Sequence, residues 1–219
     1  ISAAGHRKGA LVHADAAQSL GKVPVNVDEL GADLLSIAGH KLYAPKGIGA
    51  LYVRNGTGVG PVLVGAGQEG GLRPGTENVP YIVALGEACR LAAQRLSEFA
   101  AQSAGVTSHL LDRLKAQVPG LVLVGDPVRR LPNTLNLLFP HVSGRQVLHA
   151  CRRVMASTGS ACHADSEEPS AILTALGIER SAALGAVRLS VGRTTTRSEA
   201  EAAAMDLADA WRSVSGRTG

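Results

Sequence analysis

Ala38-Gly39-His40-Lys41-Leu42-Tyr43-Ala44-Pro45-Lys46-Gly47-Ile48-Gly49-Ala50 is the stretch on which the fold turns. It joins two short apolar runs, residues 33–38 and residues 49–53, through a loop punctuated by glycine and proline. A third run, residues 10–14, lies upstream. Short apolar runs bounded by Gly and Pro predict buried strands of an α/β sheet. The run at 10–14 reads as a parallel strand. Lys41 then follows one strand, and Asp15 and Gln18 follow another. In open α/β sheets ligands gather at the carboxyl ends of strands.

The residue types at those two strand ends suggest a chemistry. A lysine amine can form a Schiff base with pyridoxal phosphate (PLP), and a carboxylate can hold the pyridine nitrogen protonated. Gln18 can donate to the ring oxygen. His13 lies two residues before Asp15 on the same strand face. Singly these residues have ordinary readings. A strand-end Asp also caps turns, and a lone Lys is also a solvated charge.

Outward from this stretch, residues 55–79 form a long Gly-rich loop with Pro61 and Pro74. Loops of this length without structure of their own are functional or disordered. A helical stripe of Ile82, Leu85, Ala88, Ala92 and Leu96 predicts a helix over 80–99. Pro80 sits in its first turn. The stripe resumes at Leu110, Leu111 and Leu114 after an expected kink near Gly105, and Pro119-Gly120 ends it. Beyond this, strands are expected at 121–124, 135–139 and 186–191, with a short one near 155–157. Helices are expected at 146–153, 169–176 and 198–214. Strands mixed with helices predict a small α+β domain over residues 99–219, behind a larger α/β portion over residues 1–98.

Composition bounds the function. The chain has 219 residues, 45% of them hydrophobic and 3% aromatic, so Ala, Leu, Val and Ile must fill its core. A net charge of +4 without a basic block disfavours nucleic-acid binding. No apolar run reaches the roughly 18 residues of a membrane span. Three irregularly spaced cysteines suit a reducing cytoplasm rather than a disulfide framework. Cys89 and Cys151 fall on helical stripes and read as buried small hydrophobes. Cys162 instead sits in a small, polar, Gly-containing loop, Ser157-Thr158-Gly159-Ser160-Ala161-Cys162-His163. Such a thiol can reach a neighbouring site, and His163 can raise its thiolate fraction. Arg188 interrupts an apolar strand, Ala186-Val187-Arg188-Leu189-Ser190-Val191. A guanidinium there needs a planar anionic partner: an internal Asp or Glu, or a substrate carboxylate.

These motifs together resemble the cysteine desulfurase and selenocysteine lyase branch of the class V aminotransferase family. The stretches that carry the resemblance are 13–18, 39–49, Arg73-Pro74-Gly75-Thr76-Glu77-Asn78, Leu131-Pro132-Asn133-Thr134, Gly159-Ser160-Ala161-Cys162 and 187–193. They run in family order across nearly the whole chain. The resemblance implies the fold-type I PLP architecture. It implies that Lys41 carries the cofactor, that Asp15 meets the pyridine nitrogen and Gln18 the ring oxygen, and that His40 lies beside the phosphate. Thr76 is expected to reach the phosphate of a neighbouring subunit in a homodimer. Arg188 is expected to take the substrate carboxylate, and Cys162 to act as the sulfur-accepting nucleophile.

The expected reaction is removal of sulfur from L-cysteine to give L-alanine and a persulfide on Cys162. Iron–sulfur scaffolds, thiolation enzymes and selenium carriers are all open as acceptors. Selenocysteine cleavage is the alternative, supported by the segment around Met155 and Cys162. Transamination would leave Cys162 without a role. Two departures stand out. Ala38 replaces the serine that desulfurases commonly place on the phosphate. The family's N-terminal portion, with its phosphate loop and ring-stacking histidine, is absent from this sequence, which reads as a C-terminal half. A non-catalytic fragment is therefore a third reading.

Overall fold

The computed structural model describes residues 1–159 and 168–216. The chain forms two compact units, Ile1–Ser97 and Glu98–Gly219.

The first unit runs α1 (Ser2–His6), β1 (His13–Asp15), α2 (Val27–Leu30), β2 (Leu34–Ala38), a 3-10 turn (Gly39–Leu42), β3 (Gly49–Val53), a second 3-10 turn (Gln68–Gly71) and α3 (Val79–Gln94). The sheet order is β1-β2-β3. β1 pairs parallel with β2, and Asp15 is in register with Ser36. β3 returns antiparallel to β2, with Ala38 opposite Gly49. A connection of this length from β2 to β3 is too short for a parallel crossover, which needs about a dozen residues or more. Arg54 then pins the end of β3. It donates to the carbonyls of Ala32 (3.1 Å) and Val27 (3.0 Å) and to the Asp28 carboxylate (2.8 Å).

The buried residues of this unit are few: Ala16, Ala32, Leu35, Leu42, Leu85 and Ala88 lead them. The expectation of strands buried on both faces therefore holds poorly for β1 and β3. His13 and Asp15 are exposed, as are Gly49, Ala50 and Leu51. Period-two alternation puts His13, Asp15 and Ser36 on one face, and that face is polar.

The second unit contains α4 (Leu96–Gln117), β4 (Val122–Leu123), β5 (Thr134–Leu138), α5 (Gly144–Ala150), α6 (Ala171–Ala175), α7 (Arg180–Leu184), β6 (Ala186–Ser190) and α8 (Arg197–Ser215). Its sheet is antiparallel in the order β4-β5-β6. The long helices break at Arg95, not at the expected Gly105, which lies inside α4. Isolated Gly is tolerated within a helix at a cost of about 1 kcal/mol. The expected strand near 155–157 is a single bridge between Ser157 and Arg188.

One face of this sheet supplies Leu135, Leu137, Val187 and Leu189 to a core that includes Leu110, Leu114, Val147, Leu207 and Trp211. α8 enters that core with Ala200, Ala204, Leu207, Ala208 and Trp211, a stripe of helical period. A capping box fixes its start: Thr196 Oγ1 accepts from the Glu199 amide, and the Glu199 side chain accepts from the Thr196 amide. At the other end, Trp211 donates its indole N–H to Pro140 O at 3.0 Å. Among the described residues, no helix is long and apolar enough to cross a membrane.

Candidate active site

Asp15 closes β1, and its Oδ1 accepts the Ala17 amide at 2.8 Å. That bond tightens the turn carrying Gln18, which is exposed. The other carboxylate oxygen has no hydrogen-bond partner among the described residues. The capping reading and the binding reading of Asp15 thus coexist. Beside it, His13 Nε2 lies 2.7 Å from Ser36 Oγ on the adjacent strand. Ser36 was not legible as a site neighbour, because its place beside His13 and Asp15 comes from the strand pairing.

Lys41 lies in the 3-10 turn that follows β2 directly. Close packing holds that turn in place. A Cβ on Gly39 would sit 2.7 Å from Ile48 O and 2.9 Å from Ile48 Cγ2. Gly39 N donates to Ile48 O at 2.9 Å, and Ala44 N donates to Gly39 O at 3.1 Å. Tyr43 ends the turn in the left-handed region at φ 68°. His40 is exposed and Lys41 is half-buried. Asp15 and Lys41 therefore stand at the carboxyl ends of two adjacent parallel strands. Ala38, at the end of β2, offers no hydroxyl to an anion.

Thr76 is exposed in a loop that braces itself. Arg73 Nη1 donates to the carbonyls of Gly75 and Thr76, both at 3.3 Å, and Gly75 N donates to Gln68 Oε1 at 3.1 Å.

In the second unit, Arg188 lies on the face of the sheet opposite the apolar core, in register with Asn136. Its guanidinium has no hydrogen bond or ion pair among the described residues, so the internal carboxylate expected as one alternative is not found there. Ser157 pairs with Arg188 through the backbone. The chain toward Cys162 thus starts beside Arg188. Cys162 and His163 lie outside the described residues. Burial raises the thiol pKa of Cys151 and of Cys89 above the usual range, which suits inert small hydrophobes. Asn136 is a second neighbour that sequence reading missed; only the pairing of β5 with β6 puts it opposite Arg188.

The aminotransferase class-V family model matches residues 1–202. The chain belongs to that family. It is 44% identical over 223 residues to a selenocysteine lyase from Bos taurus, covering 98% of this chain and 51% of the relative. It is 42% identical over 197 residues to the cysteine desulfurase IscS of Ehrlichia chaffeensis, covering 89% of this chain and 48% of that protein. Among solved structures, a NifS-like protein superposes with a TM-score of 0.82 at 33% identity, over 92% of this chain and 52% of the other. The chain thus spans about half the length of the curated relatives it matches. Its α/β architecture is that of the NifS-like fold-type I enzymes.

Proposed function

We propose that this chain carries the lysine, the ring-binding carboxylate, the carboxylate-binding arginine and the sulfur acceptor of a PLP-dependent cysteine desulfurase. The observation that carries the reading is the placement of Asp15 and Lys41 at the ends of adjacent parallel strands, with one Asp15 oxygen left unpartnered. The residues fit the ring end of PLP. At the phosphate end His40 and Thr76 are the candidates, and Ala38 contributes nothing.

When bound, PLP supplies an electron sink for the substrate's α-carbon. Asp15 would hold the pyridine nitrogen through a charge-assisted hydrogen bond. Gln18 would donate to the ring oxygen. Arg188 would orient the substrate through two parallel hydrogen bonds to its carboxylate. Lys41 Nζ would hold the cofactor through its amine and would take the substrate's α-proton. The Cys162 thiolate would attack the substrate sulfur: the persulfide S–S bond forms as the substrate C–S bond breaks. The electron pair of the broken bond would remain with the substrate's β-carbon, which takes up a proton, and Lys41 would return the α-proton as alanine leaves. A homodimer with Thr76 reaching the neighbouring pocket, and an acceptor protein for the persulfide, belong to the same reading.

Selenocysteine cleavage is the second reading, favoured by the selenocysteine lyases at 44% identity. The test begins with PLP added to this polypeptide, followed by borohydride reduction and peptide mapping. PLP fixed on Lys41, and its loss in Lys41→Ala, supports the reading. Reduction onto other lysines with equal yield, or no fixation, rejects it for this chain. Relative turnover of cysteine and selenocysteine separates the two activities.

A further inference from the structure

Lys22 is 8% exposed, and its ammonium lies among backbone carbonyls. Nζ donates to Lys41 O at 3.0 Å and reaches Leu20 O at 3.4 Å. Burial, and secondarily the charge of Lys41, lower its pKa below the usual lysine value. A buried ammonium costs several kcal/mol unless its hydrogen bonds compensate, so an apolar side chain of the same reach would be the cheaper way to fill this space. The ammonium offers something a methyl group cannot, a donor for the orphan carbonyl at the end of the Lys41 turn.

The neighbouring backbone closes the same contact. Gly21 has φ +73°, and a Cβ there would meet Leu42 Cδ2 at 2.7 Å and Ala92 Cβ at 3.1 Å. Lys22 N donates to Ser19 O at 3.0 Å, and Leu20 N donates to Ala16 O at 3.0 Å. Residues 16–23 therefore form one hydrogen-bonded turn that starts at Asp15 and ends on the backbone of Lys41. The Lys22 clamp is a side-chain hydrogen bond that joins the segment holding Asp15 and Gln18 to the backbone of Lys41 itself.

We infer that Lys22 is a positioning residue for Lys41: its ammonium grips the Lys41 carbonyl and sets the lysine-bearing turn against the Asp15–Gln18 turn. The consequence for PLP capture rests on the reading proposed above; the clamp itself does not. Reacting groups must be held within about 0.5 Å of their working position, and a half-buried lysine on a four-residue turn needs such support.

Two measurements on Lys22→Met and Lys22→Arg decide the matter. The first is amide hydrogen exchange without cofactor. Lys22→Met should speed exchange at Gly39 and Ala44 about ten-fold, the loss of one charged hydrogen bond, and Lys22→Arg should restore most of the protection. Exchange at Leu34, bonded to Val12 O at 3.1 Å in the same unit, should stay unchanged. Unchanged rates at Gly39 and Ala44, or an equal rise at Leu34, overturn the clamp. The second is the rate of borohydride-trapped PLP on Lys41. It should fall about ten-fold in Lys22→Met and recover in Lys22→Arg. An unaltered rate overturns the positioning role. A parent chain that traps no PLP on Lys41 defeats the proposed function, and the exchange rates then decide the clamp by themselves.

Discussion

Ser157 and Arg188 hold each other by two backbone hydrogen bonds: Arg188 N donates to Ser157 O at 2.6 Å, and Ser157 N donates to Arg188 O at 3.3 Å. The bridge attaches Ser157 to the edge of β6. Ser157 Oγ donates to Gly159 O at 2.8 Å and stiffens the next residues. Cys162→Ala is expected to abolish persulfide formation and sulfide release from cysteine, while selenocysteine cleavage survives at a measurable rate. Parallel assays of both substrates check this, and equal loss on both removes the distinction.

On the proposed reading Arg188 would act on the bound carboxylate, so its replacement should appear mainly in KM. Arg188→Ala is expected to raise KM for the amino acid about 100-fold, near the upper range for hydrogen bonds to charged groups. Arg188→Lys should recover little, because an ammonium cannot form the bidentate pair. Steady-state kinetics read both, and a fall in kcat at constant KM would contradict the assignment.

Asp15 has a structural task, accepting the Ala17 amide, and on the proposed reading a chemical one as well, and two variants separate them. Asp15→Asn keeps an oxygen for the Ala17 amide but loses the charge. It should leave the unfolding midpoint unchanged and lower α-proton exchange of bound alanine by roughly 100-fold or more. Asp15→Ala should lose both the exchange and about 1 kcal/mol of stability. Denaturant unfolding and proton exchange into deuterated water are the measurements.

Gly39→Ala places a methyl group against the Ile48 carbonyl at 2.7 Å, with Leu85 Cδ1 at 3.2 Å behind it. Backbone on one side cannot yield as a side-chain tip can. The expected cost is about 1–3 kcal/mol, with reduced PLP trapping on Lys41. Trp211 reports only on the second unit, so circular dichroism or amide exchange is the measurement.

Asp33 ties α1 and the approach to β1 to β2. Its Oδ2 accepts the Val12 amide at 2.7 Å and lies 2.9 Å from His6 Nε2. The Val12 bond first, and His6 second, hold its carboxyl below the usual range. A depressed folded-state value means the stabilisation is present above the unfolded pKa of about 3.9 and is lost as pH falls through the lower folded value. Acid unfolding of the first unit should therefore steepen below about pH 4, and Asp33→Asn should flatten it. Stability curves against pH for the two proteins check the sign.

Local pattern was enough for some elements and not for others. The span of β3, Gly49–Val53, is the one the residues imply, since Gly47 and Gly49 bound an apolar run. α8 lies within a residue of its expected ends because its cap and its stripe are both local. α7 went unread: five residues, Arg180–Leu184, are too few to show a period. The helix break fell at Arg95, at φ −105°, while Gly105 stays inside α4.

From the order of residue types alone one can read the family, and the lysine and the acid at their strand ends. Each depends on neighbours along the chain. The fold decided the rest: that β3 runs antiparallel, that Asn136 faces Arg188, that Ser157 anchors beside it, and that Lys22 is buried on the Lys41 carbonyl. These are contacts between residues far apart in sequence. Burial and hydrogen-bond partners come into being only when distant segments meet, so no reading of local composition could supply them.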